Sequence, residues 1–497
     1  MTAPSDLGGP NFFTKSGYRC RLDAIGDFSR DANRPDVFRF AAWLGEKFGC
    51  HGAIALGCGQ SESAMQILQP LQLTFVDFGE SAARFREVHP AAEVIEHDFS
   101  ESPIRLSRRE QVAQSVVICS DVFEFLPNPL PLLESIRDLM RDSPVAILAA
   151  SERDRIRGPE HMGPPLDPRR VRLWNLSEFE KLLKHAGLNV AFVGLAAQDD
   201  RDRGKKTIVA VVRPQGTETI RAAPPDYRVC ASICAYNEED MIAATLEHLT
   251  SQGIEVHLVD NWSTDQTVER AEPFLGRGLH SITKFPGPGP SAAFDLHQWL
   301  QQVEERSYSS GADWWMHYDA DEIRQSPWPR IRLRDALYRV EQEGFNAVDQ
   351  TSLVFRPTTR VPVMAGEVNR FAWFEFGKRP GHFQQIKAWK PTVARARLAD
   401  SGGHSAEFPG RRVYPFKFLL RHYPVRSPEQ GLRKILAERK PRWEDEKKER
   451  GWHTHYDHID RDHNFLADPD DLMEFRQDSF HSEFLIERLS GIGIDRA

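Results

Sequence analysis

The sequence predicts an α/β protein built from two Rossmann-like, doubly wound domains, and three observations carry that prediction. Short apolar runs alternate with amphipathic helical stretches in both halves of the 497-residue chain. The stretch RPQGTETIRAAPPDYR interrupts this alternation with Pro214, Pro224 and Pro225. After it, successive strand-like runs end in a polar residue, at Asn237, Asp260 and Asp319. The boundaries expected are 1–213 for the first domain, 214–227 for a linker and 228–497 for the second domain. Within the second, the alternation persists over 228–330 and weakens over 331–497, which reads as an α/β core followed by an α+β extension.

Composition excludes several classes. Apolar residues make up 40%, enough for full cores, and the formal net charge of -8 argues against a general nucleic-acid binder. Six cysteines without a CxxC pair read as reduced thiols, which suits a cytoplasmic setting. MTAPSDLGGPNFF lacks the basic flank and apolar core of a signal peptide. No apolar run reaches transmembrane length, so membrane contact is expected to be peripheral, at the inner face.

In the first half, GAIALGC, LQLTFVD, AAEVIEHD, QSVVICSD and SPVAILAAS are five successive strands. LSEFEKLLKHAGL has helical apolar spacing ended by Gly187, and NVAFVGLAA with KTIVAVV forms a closing antiparallel pair. Gly57 and Gly59 follow the first strand, and Asp77 ends the second, 20 residues beyond Gly57. That spacing suits a ribose-binding acid. Glu62 in the first helical turn would repel a pyrophosphate, but a ligand with a ribose, a base and a positive centre tolerates it.

These residues resemble class I S-adenosylmethionine-dependent methyltransferases over about residues 35–213. LGCGQS matches the glycine motif, with Gly57, Cys58 and Gly59, and VDFGES matches the ribose-binding strand end at Asp77. EHDFSE matches the adenine side, with Asp98 and Phe99, and CSDVFEF places Asp121 near the methionine part. The sequence departs from the pattern at Ala55, Ser61 and Phe125. The resemblance implies S-adenosyl-L-methionine as cofactor and methylation of a hydroxyl. The alternative is a binding or docking domain without turnover.

In the second half, RVCASICAYN is a strand and EEDMIAATLEHLTSQG a helix. IEVHLVDN, TDQTVERAEPFL, SAAFDLHQWLQQVEER and DWWMHYDAD continue as strand, helix, helix and strand. Ligands in open parallel sheets lie beyond the carboxyl ends of the strands, so the polar tips should meet at one crevice. Asp319 and Asp321 flank Ala320 there. Like charges so close call for a cation, and oxygen ligands suit Mg²⁺ or Mn²⁺ gripping a diphosphate.

CAYNEED, HLVDNWSTDQT and WWMHYDADEI, in that order, resemble the nucleotide-sugar domain of glycosyltransferase family two, with the GT-A fold. The resemblance implies that Ala235, Tyr236, Asn237 and Glu238 line the nucleotide pocket, and that Asp260, with Asn261 beside it, contacts the base. It implies further that Asp319 and Asp321 hold a divalent metal, Asp321 more directly, with His404 or His422 completing the shell. His404 is favoured because its flanking glycines allow close backbone approach. Lys387 and Arg421 are candidate diphosphate contacts. Asp349 is either a general base or the partner of a nearby arginine such as Arg356. His453, His455, His458 and His463 fit neither one helix face nor one strand face, which points to an acceptor-side loop or a surface helix start. A nucleotidyltransferase would want a glycine-rich basic loop where CAYNEED is acidic.

The function expected is therefore bifunctional. One half transfers a sugar from a nucleotide-sugar donor to a glycan or glycoconjugate, and the other methylates a hydroxyl, in surface-polysaccharide synthesis. The alternative is glycosyl transfer alone.

Overall fold

Seven strands form the sheet of the first unit in the computed structural model. It describes residues 12–22, 34–57, 62–90, 92–197, 204–217, 219–359, 370–378, 383–391, 394–443, 448, 450–451 and 454–496. The strands are β1 Gly52–Leu56, β2 Gln72–Asp77, β3 Glu93–Glu96, β4 Ser115–Ser120, β5 Ala146–Ser151, β6 Asn189–Ala196 and β7 Thr207–Arg213. Their order is β3-β2-β1-β4-β5-β7-β6, parallel through β5, with β7 antiparallel to both its neighbours. β1, β4 and β5 are buried along their whole length, as central strands covered on both faces must be, which is why their sequences are unbroken apolar runs. The order reverses between β1 and β4, which opens a crevice at their carboxyl ends. The helix Leu176–His185 starts in a capping box, with Asn175 Oδ1 accepting from Glu178 N at 3.0 Å, and the chain turns out of it at Gly187, φ +79°. This is the class I methyltransferase-like fold.

The second unit holds two sheets. β8 Val229–Ala235, β9 Glu255–Asp260, β10 Leu279–Lys284 and β11 Trp314–Asp319 are parallel, and β16 Ala388–Trp389 joins β11 antiparallel, with β13 Ala347–Val348 beyond it. Register pairs Ala235 with Asp260 and Asp319 with Cys234, so the polar strand tips share one end of the sheet. The second sheet runs β12-β17-β14-β15-β18, where β12 is Glu322–Gln325, β14 Gln350–Phe355, β15 Trp373–Phe376, β17 Phe418–His422 and β18 Met473–Glu474. Only Ala320 and Asp321 separate β11 from β12, so the chain changes sheets within the acid motif itself. Thr245 Oγ donates to Ala320 O at 2.7 Å and Tyr423 N to Asp321 O at 2.9 Å, which fixes that turn. These are two Rossmann-like domains, the second GT-A-like with an α+β extension. β10 escaped the sequence reading because it is a half-exposed edge strand with a weak apolar pattern.

The chain divides into Met1–Thr219 with Asp478–Gly493, and Ile220–Gln477 with Ile494–Ala497. Assigning everything after residue 227 to the second domain therefore needs correction for residues 478–493. The short helices Phe480–Glu483 and Leu485–Ser490 bury Phe480, Leu485, Ile486 and Leu489 beside β6. Gly194 on β6 makes room for them, because a Cβ there would stand 2.5 Å from Ser482 O. Among the described residues no cysteine forms a disulfide, and no helix is long and apolar enough to cross a membrane.

Candidate active site

A cavity of about 650 Å³ opens at the ends of β8 and β11 in the second unit. Ala235, Tyr236 and Glu238 line it from the end of β8, Asn261 from β9, and Asp319, Ala320 and Asp321 from the turn into β12. Lys387, His404 and His422 complete this side. Three expected residues are spent on the scaffold instead. Asn237, at φ +53°, donates to Glu438 at 2.9 Å and accepts from Thr264 N at 2.8 Å. Asp260 is fully buried and takes Lys284 Nζ at 2.5 Å and Ser263 N at 3.1 Å, which shapes the loop after β9. Asp349 pairs with Lys417 at 2.7 Å and accepts from Gln385 N at 2.8 Å, which corrects the pairing expected with Arg356, since Arg356 pairs with Glu375 at 2.6 Å. The Arg421 guanidinium lies over Phe475, 5.5 Å from the ring centroid, rather than along the cavity.

Each acid of the motif faces its own buried lysine. Lys387 Nζ is 2.7 Å from Asp319 and 3.2 Å from Glu322, and Lys434 Nζ is 2.8 Å from Asp321 and 2.6 Å from Glu238. Burial alone would raise both aspartates. Lys387 overrides it at Asp319, and Lys434 with His422 at Asp321, so both carboxyls sit well below the usual range. Burial would lower Lys387, but Asp319 and Glu322 hold it charged. His317, beneath Asp319 at 3.9 Å, is pushed down to about 3 by burial and stays neutral.

The far wall was not foreseen. Lys434, Glu438, Arg439, Arg442, Trp443 and Tyr456 line it. Ser427 and Pro428 start the helix Pro428–Leu432, which widens into a π-turn over Arg433–Arg439. Hydrogen bonding in steps of five residues brings Lys434 and Arg439 to one wall, a spacing that a 3.6-residue search passes over. Arg442 stacks 4.0 Å from the Tyr236 ring centroid and donates to Asn261 Oδ1. Lys387 and Lys434 are each matched by two carboxylates, whereas Arg439 and Arg442 meet the Tyr456 hydroxyl and Asn261 Oδ1, and this guanidinium pair on the far wall suits an anionic ligand.

No group of three or more His, Cys, Asp or Glu ligands assembles among the described residues. His422 Nε2 does face Asp321 Oδ1 at 3.6 Å across the cavity. One carboxylate and one imidazole fit a Mg²⁺ or Mn²⁺ ion whose other positions go to phosphate and water.

At the crevice of the first unit, Gly57 has φ +62°, and a Cβ there would meet Val122 at 2.8 Å and Phe99 at 3.6 Å. Asp77 is buried and accepts from Phe78 N at 2.9 Å and Ser81 Oγ at 2.8 Å, at the start of the helix Gly79–Val88. Asp98 accepts from Ser100 N at 2.7 Å. Asp121, at φ +59°, takes the Arg34 guanidinium on both oxygens and Ser120 Oγ at 2.9 Å. Cys58 and Gly59 lie outside the described residues. The strand-end placement of Gly57, Asp77 and Phe99 fits an adenosyl cofactor. Asp121 is engaged by a cation of the protein itself.

Residues 230–295 match the model of the Glycosyl transferase family 2. Solved structures similar to this chain include a glycopeptide N-methyltransferase complexed with S-adenosyl-L-methionine, at 16% identity and TM-score 0.27, covering 35% of this chain and 86% of that one. An S-adenosylmethionine-dependent methyltransferase from Mesorhizobium loti is similar at 13% identity and TM-score 0.27, covering 34% and 92%. One from Aquifex aeolicus is similar at 16% identity and TM-score 0.25, covering 35% and 91%. Comparison with curated proteins gave no match. The chain thus joins a unit with a methyltransferase-like strand order to a unit whose residues 230–295 resemble family 2 glycosyltransferases.

Proposed function

We propose that the second unit transfers a sugar from a nucleotide-sugar donor to a hydroxyl of a glycan or glycoconjugate. The observation that carries this reading is the cavity at the strand ends, where Asp319 and Asp321 face Lys387, Lys434, Arg439 and Arg442. Tyr236 and Asn261 border the nucleoside end, and the cations take the diphosphate oxygens. Asp321 and His422 would hold a divalent cation, which would supply positive charge to the diphosphate oxygens. In the transfer, the acceptor oxygen forms a bond to the anomeric carbon and the bond from that carbon to the diphosphate breaks. The nucleoside diphosphate leaves with the electron pair, and the acceptor proton passes to water. A panel of nucleotide sugars with Mn²⁺ or Mg²⁺, scored by nucleoside diphosphate release, tests this. Release from none of them contradicts it.

The first unit, on the same reading, binds S-adenosyl-L-methionine through Gly57, Asp77 and Phe99, and the cofactor supplies an electrophilic methyl group. One observation favours the second reading, a docking domain without turnover. Arg34 already occupies both oxygens of Asp121, and it is itself held by Ser151 at 3.0 Å. Calorimetry with adenosylmethionine and its demethylated product separates the two readings. Heat of binding supports the first, and its absence in a folded chain supports the second.

A further inference from the structure

A second cavity, of about 350 Å³, lies in the same unit and shares two wall residues, His422 and Tyr456, with the first. His422 stands at the end of β17, in register with Glu322 of β12 on one side and Val354 of β14 on the other. Its imidazole therefore faces Asp321 in one cavity and borders the other. Tyr456 is held in the partition by Arg439, which donates to its hydroxyl and lies 5.7 Å from its ring centroid. A ligand in the second cavity that reaches this partition comes up beside the acid motif.

The lining defines what fits. Phe465 and Phe376 are buried apolar surface, and the His463 ring meets Phe465 edge-on at 4.6 Å and His458 at 5.5 Å. In the same lining, Arg356 Nε and Nη2 both donate to Glu375 Oε1, at 2.9 and 2.6 Å. The pair cancels its own charge, and Arg356 Nη1 and Glu375 Oε2 make no hydrogen bond among the described residues. Lys378 sits at the exposed rim, where water screens it. Apolar and aromatic surface combined with one donor and one acceptor in one cavity suits a pyranose, with C–H faces on the rings and hydroxyls on the polar pair. The histidine-rich run that fitted no helix or strand face contributes His458 and His463 to this wall.

We infer that the second cavity is the acceptor subsite and takes an uncharged pyranoside, so that the acceptor hydroxyl approaches the donor past His422 and Tyr456. This rests on the glycosyl-transfer reading of the first cavity. The test adds methyl and p-nitrophenyl pyranosides, neutral and phosphorylated, to the full chain with the nucleotide-sugar panel. It follows nucleoside diphosphate release and, without donor, saturation transfer to the glycoside protons by NMR. At least one neutral pyranoside is expected to show saturation transfer and to speed release about tenfold over water. His463→Ala and Glu375→Gln, each with an unchanged melting midpoint, are expected to raise KM for that glycoside about tenfold, with KM for the nucleotide sugar unmoved. Three results overturn the inference while leaving the glycosyl-transfer reading standing. They are donor turnover with no response to any pyranoside, a response confined to phosphorylated sugars, and a response that both variants leave unchanged. No turnover of any nucleotide sugar takes down the reading, and the inference with it.

Discussion

Lys434 donates to Asp321 Oδ2 at 2.8 Å although 113 residues separate them in sequence. The same ammonium donates to Glu238 Oε1 at 2.6 Å, and all three side chains are less than 10% exposed. One lysine from the π-turn thus ties the acid motif to the loop after β8. Lys434→Met takes the ammonium from the buried Asp321, which keeps only the His422 imidazole at 3.6 Å, while Glu238 retains Arg426 at 2.7 Å. Removing one partner of a buried ion pair costs about 3–5 kcal/mol, so urea denaturation should show a loss of that order in the second unit. A loss under about 1 kcal/mol contradicts the network.

Stability should fall with acid through His248. Burial lowers its pKa, the hydrogen bond to Arg324 O at 2.7 Å opposes that, and Arg421 lowers it again, to about 4. The folded value lies below the ordinary 6.5, so the unfolded chain takes up a proton first as pH falls. This contribution is therefore full above about pH 6.5 and is lost between there and about pH 4, reaching about 3 kcal/mol. His248→Asn should flatten that part of the unfolding free energy against pH. An unchanged slope sets the assignment aside.

The C-terminal segment should stabilise the first unit, not the second. Leu489 is fully buried within residues 478–493, so Leu489→Ala should cost about 2–5 kcal/mol in the first unit's transition. Gly194→Ala should act in the same direction, because its Cβ would overlap the Ser482 carbonyl. A loss confined to the second unit's transition contradicts the assignment.

The strand tips and the acid motif were legible because each lies at the end of a contiguous apolar run, so position along the strand fixes which end of the sheet it reaches. Ala235, Tyr236, Glu238, Asn261, Lys387, His404 and His422 all come to the cavity that those tips border. What pairs with what across long stretches of chain was not legible. Asp349 meets Lys417 only because β14 and β17 run side by side, and nothing local to Asp349 signals it. The cavity's cationic wall comes from a π-turn, whose five-residue repeat no amphipathic pattern announces. The helices of residues 478–493 show apolar spacing, but sequence cannot say which unit buries them.

The most direct test of the account is nucleoside diphosphate release from the accepted nucleotide sugar by Asp321→Asn beside the wild type. Asn keeps the size of the side chain and removes the charge that faces both Lys434 and His422. The account predicts a loss of roughly a hundredfold or more in kcat, with circular dichroism of the folded chain unchanged, and a similar loss when wild type is treated with EDTA. Release that continues at the wild-type rate in the variant, from a folded chain, contradicts the claim that this acid pair is the centre of transfer.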